Sequence, residues 1–580
     1  MRALTWSLAA LAGFALLAIV GFLVIGVASA PLRWGRLLSS STWDPSRLDF
    51  GASAMIFGTA VVALVALVIA APLGWAAALA IHELVSLRWR RVLRAGCELL
   101  AVIPSIVYGL LGVAFVRPLI SSVADVPGGD SLLAAALVLA LMVLPTIVAV
   151  SIDALAAVPD RVREAASACG LTRIEVIRSA VVPLARRGMG AGLLLGLARA
   201  LGETIAVFLV VGRADGRFPT SVGDVFTRLF RPGQTLTTKL NGPESVLAGT
   251  AGPHWSALCG LGLLLLASVA ALTVIGRRSG ASASGVHRRR RPTRVTGASS
   301  ARKLRDQAAR SALISAVVVA LGTVAAVVVV VVGRGAVALD PGFWVMPSLG
   351  ASGGGVRDQL LGTLLLVGVA GLLAAPVGLA LGLVISEYAQ PGLARWLRTL
   401  TLTLGGVPSI LLGLWGYWLF SSRLGWGKSW LTGGIVLAVV ALPPVAVAVA
   451  TAVAALPPER REAALALGLR REQLVLSVLV PRAVPGLVTG LLLGLARAAG
   501  ETAPLLFTAT VFSGAGSLPA AVRESPVVAL PTHIFALAQD AADPAALASA
   551  WGAALVLLVV AAGLALAAVP ARHRLEANSP

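Results

Sequence analysis

Gly192-Leu-Leu-Leu-Gly-Leu-Ala-Arg-Ala-Leu-Gly-Glu-Thr204 recurs as Gly490-Leu-Leu-Leu-Gly-Leu-Ala-Arg-Ala-Ala-Gly-Glu-Thr502, with twelve of thirteen positions identical. A segment repeated this closely at a distance of 298 residues marks a chain built from two copies of one unit. The same offset aligns Pro145 with Pro443, Pro159 with Pro457, Glu164-Ala165-Ala166 with Glu462-Ala463-Ala464, Gly170 with Gly468 and Pro183 with Pro481. Upstream an offset of 304 takes over, pairing Gly58-Thr59 with Gly362-Thr363, Pro72 with Pro376, Glu83 with Glu387 and Pro104-Ser105-Ile106 with Pro408-Ser409-Ile410. The step between the two offsets falls in a stretch expected to be an external loop, where length can change without disturbing packing.

The landmarks sit in long apolar blocks. Of the 580 residues 58% are hydrophobic and 13% charged, and the blocks are separated by arginine-rich or glycine-rich stretches. Six blocks fall in the first copy: Trp6 to Val27, Ala54 to Ile81, Gly96 to Val116, Leu132 to Leu155, Gly188 to Val211 and Trp255 to Ile275. Six follow in the second: Ala312 to Val332, Leu360 to Ile385, Leu400 to Phe420, Leu431 to Ala454, Gly486 to Val511 and Ala546 to Val569. As helices these reach across about 30 Å of hydrocarbon, with tilt or proline kinks taking up the excess in the longer ones. The expected fold is therefore all-α and polytopic, about twelve transmembrane helices in two six-helix halves, 1–276 and 311–580, joined by a linker at 277–310. An even number of spans per half makes the repeat parallel, its axis along the membrane normal.

The formal charge of +21 would suggest nucleic acid in a soluble protein, but its distribution argues for membrane topology instead. With the N-terminus in the cytoplasm, 31 of the Lys and Arg residues lie on cytoplasmic segments, 14 on external ones and two in spans. The positive-inside rule selects that orientation, with both termini cytoplasmic. The linker holds 11 of these basic residues and one acid, so it reads as a flexible tether near anionic lipid headgroups or as a topological signal alone. Arg2, an apolar stretch and Ala28-Ser29-Ala30 imitate a signal peptide. The apolar run is long for one, and the segment is expected to stand as the first span. Cys97, Cys169 and Cys259 are too scattered for a disulfide framework, and the five histidines form no ligand-spaced cluster, so no cofactor or metal is expected on this chain.

Polar segments at 159–187 and 457–485 separate the fourth and fifth spans of each half and should face the cytoplasm. In the first, Asp160 can cap a short helix, Gly170 can end it, and Thr172-Arg-Ile-Glu175 has the spacing of a capping box opening a second. The alanines beside Glu164 and Glu462 offer a low docking face for a partner. Within the fifth and eleventh spans, Arg199 with Glu203 and Arg497 with Glu501 are spaced i,i+4, which on a helix puts both on one face. Charges in a span normally face a bundle interior or an aqueous path. One reading is a neutralised pair locking helices together. The other is that Arg199 and Arg497 present planar donors to a tetrahedral oxyanion near the pseudo-two-fold axis. Glu203 and Glu501 would then hold the guanidinium groups when the path is empty, and Thr204 and Thr502 would add hydroxyls.

Glu-Ala-Ala, a glycine six residues after its Glu and a proline thirteen beyond, present in both copies, resemble the EAA loop of ABC importer permeases. Ala198-Arg-Ala-Leu-Gly-Glu-Thr-Ile-Ala-Val207 resembles the first membrane subunit of the phosphate (Pst) ABC importer. Ala496-Arg-Ala-Ala-Gly-Glu-Thr-Ala-Pro-Leu-Leu-Phe-Thr-Ala509 resembles the second. The resemblance implies a type I importer permease with both membrane subunits fused. Glu164, Ala165, Gly170, Glu462, Ala463 and Gly468 would contact two copies of an ABC ATPase, which uses ATP and Mg, and an external phosphate-binding protein would deliver the cargo. Permeases for sulfate, molybdate and tungstate share the Arg-Ala-x-Gly-Glu core and remain alternatives, as does an ion-coupled secondary carrier. Two further motifs mislead. Gly427-Lys428-Ser429 lacks the earlier glycine of a P-loop, and Gly350-Ala-Ser-Gly-Gly354 lacks the strand context of a nucleophile elbow.

Overall fold

The computed structural model describes residues 2–100, 102–281, 300–348, 354–511, 519 and 521–577. Among them eleven helices are long and apolar enough to cross a membrane, and a twelfth crossing is formed if the pair Pro391–Leu404 and Ser409–Arg423, bent by 92°, counts as one. Helices dominate because hydrocarbon offers no partner for backbone N–H and C=O groups, and a helix satisfies them internally. The described strands are one two-residue pair, Trp43–Asp44 with Asp49–Phe50, in an outer loop.

Small residues set the packing. The second and fourth spans of the first half, Ser53–Leu84 and Pro127–Ala156, lie together with Gly74 against Ile147. In the second half, Arg357–Tyr388 meets Trp430–Ala454 through Gly378 on Val445 and Gly382 on Val449. A side chain at these glycines would push the helices apart. The first spans are exchanged between halves: Thr5–Ala28 lies against Arg357–Tyr388, and Arg302–Ala338 against Ser53–Leu84. Thr5–Ala28 also meets the sixth span, with the Phe22 and Trp255 ring centroids 6.0 Å apart.

The repeated Gly-Thr landmarks have a common cause. A Cβ at Gly58 would run into the carbonyl of Gln234, and one at Gly362 into that of Val528. Beside them the Thr59 hydroxyl accepts the amide of Leu236 at 2.9 Å and the Thr363 hydroxyl accepts that of Leu530 at 2.8 Å. Each half thus seats a short helix, Leu236–Leu240 or Leu530–Gln539, on its second span.

Four expected spans are interrupted. The block expected at Gly96 to Val116 is an amphipathic helix, Leu87–Leu100, followed after a break by Ser105–Ala124. The block at Leu400 to Phe420 breaks in the same place. Pro104 and Pro408 disfavour helix in the residue before them, and each opens the next helix. The fifth and eleventh spans stop at Gly202 and Ala499, and the chain resumes as Ile205–Phe208 and Ala503–Thr508. Glu203 has φ −71° and ψ 133°, an extended conformation. The expected placement of each arginine and its glutamate on one helical face is thereby overturned: Arg199 and Arg497 lie in the last turns of their helices, and Glu203 and Glu501 lie beyond the ends. The linker is shorter than expected, since helices Pro253–Ala281 and Ser300–Ala338 take in both its ends. Its central part, 282–299, falls outside the described residues, as does most of the Gly350 to Gly354 motif.

Candidate functional site

A cavity of about 570 Å³ opens between the halves where these breaks converge. Arg199, Glu203, Arg497 and Glu501 all line it, so the two repeated motifs face one space. The walls around it are made by contacts that cross between halves. Gly202 rests on Pro408, and a Cβ at Gly500 would come within 2.9 Å of Pro104. The Gly-Glu-Thr of each half is therefore packed against the Pro-Ser-Ile of the other. Ser105 and Ser409, also in the lining, begin helices whose N-termini no side chain caps, and such ends favour negative charge.

The two arginines have different partners. Arg199 is half-buried and donates from Nη1 to the Thr146 hydroxyl at 2.9 Å. Glu203 accepts the amide of Ala206 at 3.4 Å, capping the short helix that follows. Its own carbonyl accepts the Thr237 hydroxyl at 2.9 Å from the helix Leu236–Leu240. Arg497 is more open, its side chain 49% exposed, with Nε 3.7 Å from Glu501 Oε1 and Nη1 donating to the Gly405 carbonyl at 3.3 Å. The Arg–Glu contact expected in both halves is thus an ion pair in the second. In the first, Thr146 engages the guanidinium group.

Thr502 lines the cavity, and its buried hydroxyl has no hydrogen-bond partner among the described residues. The Thr204 hydroxyl is turned to the Gly202 carbonyl at 3.4 Å. Thr146, Thr273 and Arg277 also line the cavity, and sequence reasoning had not selected them. Thr146 is one hydroxyl in an apolar span beside Pro145, and Arg277 reads from sequence as the start of the linker, so nothing local distinguishes either.

On the side of the molecule carrying the polar segments, Asp160–Ala168 and Pro458–Ala466 form short helices. Glu164, Ala165, Gly170, Glu462, Ala463 and Gly468 are all exposed on them or on the turns that follow. Gly170 and Gly468 have φ of +74° and +82°, the left-handed conformation that reverses the chain and that glycine adopts without penalty. The capping box forms, with Thr172 and Glu175 each bonding the other's backbone amide. Two details differ from expectation. Pro159 occupies the cap position while Asp160 sits inside the helix and pairs with Arg163 at 3.0 Å. The second short helix continues through a wider turn at Ile177–Val181 into the fifth span, so Arg173–Gly202 is one rod from this surface to the cavity. Gly427-Lys428-Ser429 is structural: Lys428 donates to the carbonyls of Leu506 and Thr510, and Ser429 caps the helix Trp430–Ala454.

The family of binding-protein-dependent transport system inner membrane components matches residues 70–280 and again residues 374–574. The chain belongs to that family. It carries the family's domain twice, and each copy contains one Arg-Ala-x-Gly-Glu-Thr motif and one exposed Glu-Ala-Ala helix. A phosphate transport system permease protein PstC of Mesorhizobium japonicum is 36% identical over 259 residues, which cover 41% of this chain and 76% of that protein. PstC of Haemophilus influenzae is 34% identical over 294 residues, 47% of this chain and 90% of its own. Phosphate transport system permease protein PstA 1 of Mycobacterium tuberculosis is 34% identical over 281 residues, again 47% of this chain, and 90% of its own length. Each relative spans less than half of this chain, as a protein made of one such domain would.

Proposed function

We propose that this chain is the membrane-spanning permease of an ATP-driven ABC importer that carries inorganic phosphate into the cell, both membrane subunits being joined in one polypeptide. The observation that carries the proposal is the meeting of Arg199 and Arg497, one from each domain copy, in a single cavity between the halves. Guanidinium groups offer fork-shaped donors that suit a tetrahedral oxyanion, and the relatives named above are phosphate permeases. The halves are 1–276 and 311–580, the protein sits in the bacterial cytoplasmic membrane, and both termini face the cytoplasm.

Phosphate carries one to two negative charges at neutral pH. Uptake against an inside-negative potential is uphill by about 2.3 kcal/mol per charge per 100 mV, so an energy source is required. Separate ATPase subunits, two copies using ATP and Mg, dock on Glu164-Ala165 with Gly170 and on Glu462-Ala463 with Gly468. An external binding protein delivers phosphate to the outer loops. Glu501 holds Arg497 while the cavity is empty and yields it to the arriving anion, and the Thr502 hydroxyl supplies a further donor.

Labelled phosphate uptake into proteoliposomes holding this chain with its ATPase and binding protein, ATP inside, tests the reading. Uptake that needs ATP and resists excess sulfate and molybdate is expected. Transport of a competing oxyanion in place of phosphate would overturn the cargo, and uptake without the ATPase would overturn the mechanism.

A further inference from the structure

Arg163 and Arg461 stand one residue before the exposed Glu-Ala-Ala helices' glutamates, yet both point inward, with side chains 17% and 26% exposed. Arg163 donates to Glu83 Oε1 at 3.0 Å and to the Leu155 carbonyl at 2.8 Å. Arg461 donates to Glu387 Oε2 at 3.1 Å and to the Val453 carbonyl at 2.9 Å. Each member of one set is the repeat partner of the corresponding member of the other: Glu83 of Glu387, Leu155 of Val453, Arg163 of Arg461. In both halves the carboxylate lies on the widened last turn of the second span, Ala80–Leu84 or Val384–Tyr388, and the carbonyl lies at the end of the fourth. One guanidinium group thus ties the docking helix to the ends of two spans. The surroundings differ, with His82 beside Glu83 where the second half has Ser386, but the three-way joint is the same.

We infer that Arg163 with Glu83 and Arg461 with Glu387 are positioning residues that transmit movement of the docking helices to the cavity. The route is short and made of helix. Nine residues back from Leu155 on the same helix is Thr146, which holds Arg199, and nine back from Val453 is Pro444, in the cavity wall. Nine residues of helix span about 14 Å, a lever stiff enough to carry a displacement rather than absorb it. Without the joint, the docking helix stays attached along the chain to the fourth span, and to the fifth through Ile177–Val181 or Val475–Leu479, but it loses its side-chain tie to the second. The inference rests on the importer reading, because it assigns a mechanical role to surfaces that reading gives to the ATPase.

The test uses the whole transporter in proteoliposomes and compares wild type with the double variant Glu83→Gln, Glu387→Gln, reading phosphate taken up per ATP hydrolysed. The variant complex is expected to copurify with its ATPase and to hydrolyse ATP, while the ratio falls about tenfold or more, within the range of coupling between two sites. Replacement by Asp, which keeps the charge, is expected to restore much of the ratio. If the double variant does not assemble, the single variant Glu387→Gln leaves the other joint intact, and its ratio is expected to fall severalfold. An unchanged ratio in an assembled variant overturns the inference, as does a proportional loss of uptake and hydrolysis. A wild-type complex that hydrolyses ATP but takes up no phosphate refutes the cargo reading instead. Stimulation of hydrolysis by the cognate binding protein then reads the same joint, with loss of stimulation in the variant expected and retained stimulation overturning it.

Discussion

At the scale of single residues, the two cavity arginines are repeat partners placed in unequal situations. Arg199 is tied to Thr146, whereas Arg497 is half exposed and loosely paired with Glu501. On the proposed reading, the more open guanidinium group is the one an anion would meet with less to displace. Arg497→Gln is therefore expected to lower uptake about 10- to 100-fold with the complex intact, the worth of a hydrogen bond to a charged group. Arg497→Lys is expected to recover only part of that, because an ammonium lacks the planar fork. Uptake assays on variants of equal abundance check both. Thr146→Val is expected to cost less, since Arg199 keeps its place in the last turn of its helix, where a cation is favourable. A second residue-scale prediction concerns Glu244, which lies shortly before the helix Pro253–Ala281. Burial raises the Glu244 carboxyl, but hydrogen bonds from His254, Lys239 and Trp43, with the Lys239 charge, outweigh it and hold the group below the usual glutamate range. A lowered carboxyl stabilises the folded state above its ordinary pKa, and the contribution is lost as pH falls through the folded value. Thermal stability of wild type is expected to drop below about pH 4.3, the ordinary glutamate value, more steeply than that of Glu244→Gln. Parallel melting curves across pH 3 to 7 would check it.

At the scale of elements, the polar segments at 159–187 and 457–485 were largely legible in the sequence and the interrupted spans were not. Gly170 and the Thr172 to Glu175 box are local signals, decided within a few residues by backbone conformation and side-chain capping, and the structure forms both. The ends of the fifth and eleventh spans depend on distant residues. Gly202 stops where Pro408 arrives and Gly500 where Pro104 does, and apolar continuity through Val211 and Val511 conceals this. Arg199 and Glu203 were legible as candidate site residues, but their spacing implied a helix that ends before the carboxylate. Gly170 has open space around its missing Cβ, so Gly170→Ala tests backbone conformation alone and is expected to cost about 1 to 2 kcal/mol locally. The first segment has an added tie that its repeat does not show among the described residues. Arg302, at the start of the helix Ser300–Ala338, pairs with Glu175 and donates to the Gly170 carbonyl at 3.0 Å, while Asp306 accepts the Ile174 amide at 3.0 Å. Arg302→Ala is accordingly expected to speed hydrogen exchange at Gly170 to Val176 and to leave Gly468 to Leu474 unchanged.

At the scale of the whole molecule, the question is what the covalent joining of the halves contributes. The halves are held by exchange of their first spans and by the crossed packing of Gly202 on Pro408 and Gly500 on Pro104 around the cavity. None of these contacts involves 282–299, and the relatives match 47% of this chain over 90% of their own length. Joining two partners raises their effective concentration without adding a contact. Two polypeptides divided within 282–299 and made in the same cell are therefore expected to copurify and to take up phosphate at a rate close to that of the intact chain. Adding Gly500→Ala to the divided form is expected to separate the pieces more readily than the same change in the joined form, since the methyl group presses on Pro104 across the interface and the tether no longer holds the halves together. Pieces that never associate would show that the linker assembles the cavity. Association without uptake would instead place the linker's contribution in the transport cycle, beyond the contact of Arg302 with Glu175, which the divided form keeps.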